Sequence, residues 1–258
     1  MSDWGEHFSY LERGLPYRRY ARPELLRIGL VLLDTDYTLE RDWQRLLGDD
    51  MECFSTRLPT TGEVTPRALL ALAPKIEAAA HTLVPGLPLH TLVFGCTSAG
   101  LLIGDRPIAK TFAAVRPGVA VTHPWLALRE ALASLGARRI ALLTPYVREL
   151  NAAFYAAFEK LGIEVAAVGG FHLRRDVDIP AVDPDCLGDA LAVLLEGAEG
   201  VEAVVMPCTN LRALERLDAL EARFGIPCLS SNQALYWHAR RLAGRATRLA
   251  GFGRLLAG

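Results

Sequence analysis

Short apolar runs alternate with segments of helical periodicity along most of the chain. The apolar runs predict strands over 25–34, 51–59, 91–95, 118–122, 138–144, 163–171, 202–207 and 226–230. The periodic segments predict one helix that ends near Gly48 and further helices over 65–83, 101–115, 123–136, 147–161, 183–197, 212–225 and 231–244. Pro74 predicts a break in the second of these helices. Continuously apolar strands are typical of sheets that helices cover on both faces, so the alternation favours an α/β fold with parallel sheets.

One spacing recurs in this pattern. The run RIGLVLLD begins at Arg27 and the similar run RIALLTPY begins at Arg139, which is 112 residues later. Cys96 and Cys208, each at the end of an apolar run, are also 112 residues apart. A shared offset between two pairs of strands predicts a duplication, with two pseudo-symmetric doubly wound domains that each contribute one cysteine to the crevice between them.

The repeat sets the expected domain organisation. An N-terminal arm is predicted over 1–26, a first α/β domain over 27–122 plus 231–258, and a second over 123–230. The helix that follows the last strand of each half is expected to cross over and pack on the opposite domain. The charged run LRRDVD (173–178) is predicted to be an exposed loop, with a lid as the alternative.

Composition narrows the possible partners. The formal net charge is −1, and no basic stripe interleaved with aromatic residues is present, which argues against nucleic acid. No apolar run approaches the roughly 20 residues of a bilayer span, and the polar N-terminus is unlike a signal peptide. We therefore expect a cytoplasmic protein that does not bind membranes, and we expect a homo-oligomer, either a dimer or a tetramer.

The five cysteines indicate reduced thiols. They are odd in number and widely spread, without a CxxC pair, and the six histidines do not cluster with them, so neither a disulfide scaffold nor a metal site is predicted. Three of them have no polar neighbours and are interpreted as small core residues: Cys53, Cys186 and Cys228.

Cys96 and Cys208 differ from the other cysteines because hydrogen-bond donors follow them. Both stand at carboxyl ends of predicted strands, where parallel sheets place ligand sites. The donors that follow could bind a carboxylate and are Thr97 and Ser98 in the first half and Thr209 and Asn210 in the second. Backbone N–H groups at a helix start favour the same anion and would lower the pKa of a thiol.

Two facing thiols suit proton transfer at a carbon beside a carboxylate. One thiolate removes the proton, the other thiol returns a proton from the opposite face, and donors stabilise the enolate between the two steps. Alternatively, one thiolate adds to an activated double bond. Neither route requires a metal or an organic cofactor. A catalytically silent protein that binds small ligands is the third hypothesis, although binding alone does not need acid–base groups.

Three motifs carry a resemblance to a known family. In the order FGCTSAG (94–100), LLTPYVRELN (142–151) and PCTNLR (207–212), the chain resembles the Asp/Glu racemase superfamily, in the branch of maleate isomerases and arylmalonate decarboxylases. Within that branch, RIGLVLLDTDYTLERDW, GCTSAGLLIGD and GARRIALLTPY look most like ectoine-utilisation (EutA-type) proteins.

The resemblance implies residue roles. It implies that Cys96 and Cys208 are the catalytic thiols and that the hydroxyl of Tyr146 binds the substrate carboxylate. The donors Thr97, Ser98, Thr209 and Asn210 match carboxylate-binding positions. Asp36 falls where maleate isomerases have an asparagine that follows the first strand.

Departures from the family pattern refine the expected reaction. Asn210 replaces the histidine of glutamate-type racemases, and Cys96 replaces the glycine of arylmalonate decarboxylases, so neither activity is favoured. Asp36 would repel a dicarboxylate but accept hydrogen bonds from an ammonium or hydroxyl group. We therefore expect a cofactor-independent isomerase or racemase of a small carboxylate, such as an amino or hydroxy acid of ectoine catabolism, with maleate isomerisation as an alternative.

Overall fold

The structure is a computed structural model that describes residues 14–19 and 21–258. Its strands, in chain order, are β1 (Leu26–Leu33), β2 (Met51–Leu58), β3 (Thr91–Gly95), β4 (Ala120–Thr122), β5 (Arg139–Tyr146), β6 (Glu164–Leu173), β7 (Ala203–Met206) and β8 (Cys228–Ser230). The strands β1, β3, β5 and β7 are almost wholly buried, as expected for strands covered by helices on both faces.

Helices occupy the segments between the strands. They are α1 (Leu39–Leu46), α2 (Pro66–Leu70), α3 (Ile76–His81), α4 (Thr97–Ile103), α5 (Asp105–Val115), α6 (Pro124–Leu135), α7 (Arg148–Lys160), α8 (Cys186–Leu195), α9 (Leu217–Phe224), α10 (Ser231–Leu242) and α11 (Arg254–Ala257). Short 3-10 helices lie at Ala73–Lys75, Asp176–Ala181 and Leu214–Arg216. The break predicted at Pro74 is confirmed, because that residue lies in the 3-10 turn between α2 and α3.

The strands form two parallel four-stranded sheets, ordered β2-β1-β3-β4 and β6-β5-β7-β8. Several of their residue pairings repeat the offset seen in the sequence. In the first sheet Ile28 pairs with Cys53 and Thr91. In the second, Ile140 pairs with Val165 and Ala203, each 112 positions after its counterpart. The duplication therefore extends to the pairing of individual residues, and the predicted fold class is confirmed.

Helix α6 connects the end of the first sheet to the second half of the chain. Trp125, at the start of α6, makes edge-to-face contacts with two rings of α7, with centroids 5.8 Å from Phe154 and 4.8 Å from Phe158. Such aromatic pairs stabilise a packed interface beyond the area that they bury. The helix that follows the first sheet thus packs on an element of the second half.

Helix α10 makes the reciprocal connection. The Tyr236 hydroxyl donates to the carbonyl of Leu46 at 2.7 Å, and its ring packs edge-to-face on Trp43 of α1 at 5.5 Å. The Thr91 hydroxyl donates to the carbonyl of Ala239 at 3.2 Å. These contacts have the crossed arrangement expected from the sequence, in which each terminal helix packs on the other half.

The predicted arm falls largely outside the described residues. Residues 1–13 and 20 are not described, and β1 begins at Leu26, one residue before the predicted domain start. The domain bounds themselves stay a prediction. Among the described residues, no helix is both long enough and apolar enough to cross a membrane.

Candidate active site

Loops at the carboxyl ends of both sheets enclose a small cavity. Parallel sheets place ligand sites at this edge because the strand ends converge there. The lining residues are Leu33, Thr60, Glu63, Val64, Leu69, Cys96, Thr97, Ser98, Tyr146, Asp176, Cys208 and Thr209. Both halves of the molecule therefore contribute to one site, and both predicted thiols line it.

Cys96 lies between the end of β3 and the start of α4. A glycine precedes it for a steric reason: a Cβ on Gly95 would approach side-chain atoms of Leu32 at 2.7 Å and Leu39 at 2.8 Å. The thiol is 5% exposed, and its sulfur lies 3.8 Å from the Ser98 hydroxyl oxygen. The N–H of Ala99, in the first turn of α4, also points to this sulfur.

Cys208 follows β7, and its thiol is 4% exposed. The Tyr146 hydroxyl faces this thiol and the Ser98 hydroxyl. Tyr146 is held in place by its ring, which stacks on Phe154 at 5.6 Å, and by its carbonyl, which accepts from Asn151 Nδ2 at 3.1 Å. Tyr146 therefore connects the second thiol to a donor of the first half.

Burial dominates the electrostatics of both thiols. It raises the pKa of Cys96 to about 12, although the Ala99 N–H partly opposes this effect. Burial also raises the pKa of Cys208 well above its usual value, the negative charge of Asp176 adds to that rise, and the Tyr146 hydroxyl opposes it. The pKa of Tyr146 is itself raised by burial, so its hydroxyl stays a neutral donor near pH 7.

Asp176 is a cavity residue that the sequence analysis missed. The expectation of an exposed loop at 173–178 is wrong for this residue, which is 8% exposed and begins a 3-10 helix. Its Oδ2 accepts from the Thr35 hydroxyl at 2.5 Å and from Asn210 Nδ2 at 3.3 Å. Burial raises the pKa of Asp176 to about 6, and the charge of Asp36 adds to the rise.

Asp36 lies behind the cavity wall rather than on it. Its Oδ1 accepts from the N–H groups of Thr38 and Leu39, both at 2.9 Å, and so satisfies free backbone donors at the start of α1. Its Oδ2 is buried without a hydrogen bond of good geometry among the described residues. Burial raises the pKa of Asp36, and the Leu39 N–H and the Thr209 hydroxyl oppose that rise.

Asn210 is likewise outside the cavity lining. Its Nδ2 donates to the carbonyls of Thr35 at 3.2 Å and Asp176 at 3.1 Å, and its Oδ1 accepts from the N–H of Tyr37 at 3.2 Å. Asn210 thus joins three loops that surround the site. The direct substrate contacts predicted for Asp36 and Asn210 stay predictions.

The remaining predicted donors line the cavity. The Thr97 hydroxyl shares a hydrogen bond of 2.8 Å with Ser231, and the Thr209 hydroxyl donates to the Gly95 carbonyl at 3.5 Å. The other two predicted donors have their hydroxyls beside the sulfurs, Ser98 next to Cys96 and Tyr146 next to Cys208. Within residues 14–19 and 21–258, no group of three or more His, Cys, Asp or Glu side chains is placed to hold a metal ion.

The arrangement combines two thiols that can exchange protons with a set of hydroxyl donors suited to a carboxylate. A sequence model of the arylmalonate decarboxylase family matches residues 112–256, which is more than half of the chain. The chain belongs to the arylmalonate decarboxylase family. The match includes the motifs around Tyr146 and Cys208 and confirms the resemblance to this family, whereas the closer likeness to ectoine-utilisation proteins stays a prediction.

The relatives of this chain within and around the arylmalonate decarboxylase family include enzymes with two different activities. Maleate isomerase from Nocardia farcinica is 26% identical over 241 residues, which cover 89% of this chain and 95% of the relative. Arylmalonate decarboxylase from Bordetella bronchiseptica is 29% identical over 139 residues, or 54% of this chain and 58% of the relative. Both relatives are enzymes, and the prediction of an enzyme is confirmed.

One solved structure adds chemical information about a relative. A mutant of the Nocardia farcinica maleate cis–trans isomerase carries a covalently bound succinylcysteine intermediate. It superposes with a TM-score of 0.81 at 25% identity, covering 90% of this family member and 98% of that chain. In that protein a cysteine therefore forms a covalent bond during the reaction.

Proposed function

We propose that this protein is a cofactor-independent isomerase or racemase of a small carboxylate, with Cys96 and Cys208 as the groups that transfer protons. The observation that carries the proposal is the meeting of these two buried thiols in one small cavity, each from an equivalent position of a duplicated sheet. Acid–base chemistry from two directions needs such a pair, whereas ligand binding alone does not.

The proposed reaction begins with the substrate carboxylate bound by hydroxyl groups. Ser98 and Tyr146 line the cavity beside the sulfurs, and we assign the carboxylate to them together with Thr97 and Thr209. One thiolate takes the proton from the neighbouring carbon, and negative charge moves onto the carboxylate oxygens. The hydroxyl donors stabilise that charge because they are already fixed before it develops. The second thiol then delivers a proton from the other face.

The raised pKa values of the thiols are consistent with one thiol donating a proton and the other, as a thiolate, accepting one. Burial keeps Cys96 and Cys208 protonated near pH 7, so the thiol that donates is in the required state. The thiol that accepts must lose its proton as the substrate binds. For Cys208, the Tyr146 hydroxyl is a donor that favours the thiolate.

Deuterium exchange tests the proposal. The protein is incubated in D2O with small 2-amino and 2-hydroxy carboxylates, and loss of the signal of the hydrogen beside the carboxylate is followed by proton NMR. We expect exchange with the wild-type protein and its loss in both Cys96→Ala and Cys208→Ala. Full activity in either variant would contradict the two-thiol mechanism.

Maleate-to-fumarate isomerisation by thiolate addition is the second candidate, favoured by the succinylcysteine of the Nocardia farcinica relative. Mass spectrometry after incubation with maleate should then show a substrate adduct on Cys96 or Cys208. Absence of both adduct and turnover rules it out. A silent binding protein on the same scaffold would show neither exchange nor adduct. The ectoine-catabolism assignment, a cytoplasmic location and a homo-oligomer stay predictions.

A further inference from the structure

The cavity contains a carboxylate that the proposed proton transfers do not use. Asp176 lines the same space as the two sulfurs and is 8% exposed. Two donors, the Thr35 hydroxyl and Asn210 Nδ2, bind its Oδ2. Its Oδ1 accepts no hydrogen bond from the described residues. This oxygen is not fully buried, so a hydrogen-bond donor on a ligand in the cavity can reach it.

Backbone contacts fix Asp176 in position. Its N–H donates to the Gly62 carbonyl at 2.8 Å, and its carbonyl accepts from Asn210 Nδ2 at 3.1 Å. The neighbouring Arg174 carbonyl accepts from the Val64 N–H at 2.8 Å, so loops of both halves hold this segment against the cavity. A carboxylate supported in this way is preorganised to bind a ligand group.

No positive charge balances this carboxylate at the cavity wall. The described lining residues include no lysine, arginine or histidine, and Asp176 forms no salt bridge with the described residues. The negative charges of Asp36 and Asp34 raise the pKa of Asp176 further. A substrate with two carboxylates would therefore bring a second negative charge next to an unbalanced one, whereas an ammonium group would neutralise it.

The charge of Asp176 also acts on the reaction. It raises the pKa of both Cys96 and Cys208, after the larger effect of burial. A cationic substrate group beside Asp176 would cancel this contribution and make a thiolate easier to form. A second carboxylate would have the opposite effect.

We propose that Asp176 is the specificity-determining residue of this site and binds an ammonium or hydroxyl group on a substrate that has a single carboxylate. The inference rests on the proposed function, because it places the substrate carboxylate at Ser98 and Tyr146. It names the substrate class as amino or hydroxy monocarboxylates, and it excludes simple dicarboxylates. Asp36 had suggested the same substrate class, but it does not line the cavity; of the two acidic residues that do, Asp176 is buried and Glu63 is exposed.

Four probes of equal chain length test the inference by binding alone. Isothermal titration calorimetry compares 4-aminobutyrate, 4-hydroxybutyrate, butyrate and succinate, which differ only at the end away from one carboxylate. For the wild-type protein at pH 8 we expect the affinity to fall in that order, with at least about a tenfold gap between 4-aminobutyrate and succinate. Preference for succinate or butyrate overturns the inference, and this comparison requires no variant.

A matched pair of variants assigns the selectivity to one residue. Asp176→Asn keeps the shape and an acceptor for Thr35, whereas Asp178→Asn removes a charge from the same 3-10 helix outside the cavity. We expect the first variant to lose most of the gap between 4-aminobutyrate and succinate, and the second to retain it. An unchanged gap in Asp176→Asn overturns the inference.

Deuterium exchange separates this inference from the proposed function. If the wild-type protein shows the expected binding order but exchanges no substrate hydrogen, the assignment of Asp176 is supported and the two-thiol reaction is contradicted. If it exchanges hydrogen but binds succinate as tightly as 4-aminobutyrate, the reaction is supported and the assignment is overturned.

Discussion

The two cysteine loops of this protein occupy equivalent places in a duplicated fold but differ in what surrounds the sulfur. Cys96 leads directly into α4, and its partners are the Ala99 N–H and the Ser98 hydroxyl. After Cys208 the chain has no α-helix until Leu217, and the thiol has the Tyr146 hydroxyl and the Asn210 N–H instead. The first thiol thus has donors from its own turn alone, whereas the second combines a local N–H with a side chain from another strand.

This difference shows which part of the duplication was retained. The sheets keep the same strand order, and the pairing of β5 with β7 repeats that of β1 with β3 at the 112-residue offset, because a change at these central strands would disturb a continuous core. The loops at the carboxyl ends carry the chemistry and have diverged, as is typical of sites built on a rigid scaffold. We therefore expect both thiols to be required, but with separate means of controlling their protons.

The largest effect is expected from removing either thiol. Cys96→Ala and Cys208→Ala should each reduce substrate hydrogen exchange by about 10²- to 10⁴-fold, the usual contribution of a general acid or base. Cys186, which was expected to be a core residue, is instead exposed and lies outside the cavity, so Cys186→Ala is the control and should retain full activity. If one of the first two variants kept wild-type exchange, the two halves would not be functionally equivalent.

Tyr146→Phe should separate the two loops. Loss of its hydroxyl removes a donor for the substrate carboxylate and for Cys208, so we expect turnover to fall about 10- to 100-fold. The pKa of Cys208 should also rise, so iodoacetamide should modify it more slowly, while Cys96 keeps its own donors. Peptide mass spectrometry reports each thiol separately. Equal slowing at both would show that Tyr146 does not distinguish them.

Asp176→Asn should act on both loops at once. The charge of Asp176 raises the pKa of both Cys96 and Cys208, and its removal should increase the iodoacetamide reaction rate of each thiol severalfold at pH 8. Asp178→Asn serves as the control for charge on the same segment. An increase confined to one thiol would place the Asp176 carboxylate in one half of the site only.

The smallest effect expected is on stability. The pKa of Asp176 is about 6 in the folded protein, compared with 3.8 for the side chain outside the fold. The charged carboxylate therefore destabilises the fold above pH 6, and this free-energy cost disappears below pH 4. Asp176→Asn removes this destabilisation, which is at most about 3 kcal/mol, and should therefore raise the melting temperature by a few degrees at pH 8. The difference should vanish near pH 4. A gain independent of pH would contradict this origin.

Much of the fold could be predicted because its signals are local. Apolar runs located the strands, the 112-residue offset revealed the duplication, and Pro74 marked a true interruption. Helix boundaries were less accurate where one residue changes the path of the chain. The predicted helix over 101–115 begins earlier in the structure, at Thr97, and Gly104, with φ of 89°, divides it into α4 and α5.

The candidate site could be predicted in part for the same reason. Cys96 and Cys208 follow strands and Tyr146 ends one, and strand ends converge at one edge of a parallel sheet. Asp176 could not be found in this way, because a charged run such as LRRDVD is ordinarily exposed. Its burial depends on Thr35 and Asn210, which are 141 and 34 residues away. No periodicity along the chain reports such contacts.

The central claim, that two thiols act from opposite faces, is tested most directly by isotope transfer from a single enantiomer in D2O. At early times the account predicts that every product molecule carries deuterium at the inverted carbon, since Cys96 and Cys208 remove and return different protons. The remaining substrate should still carry hydrogen. Product that retains the original hydrogen would show that one group does both steps, and would contradict the account.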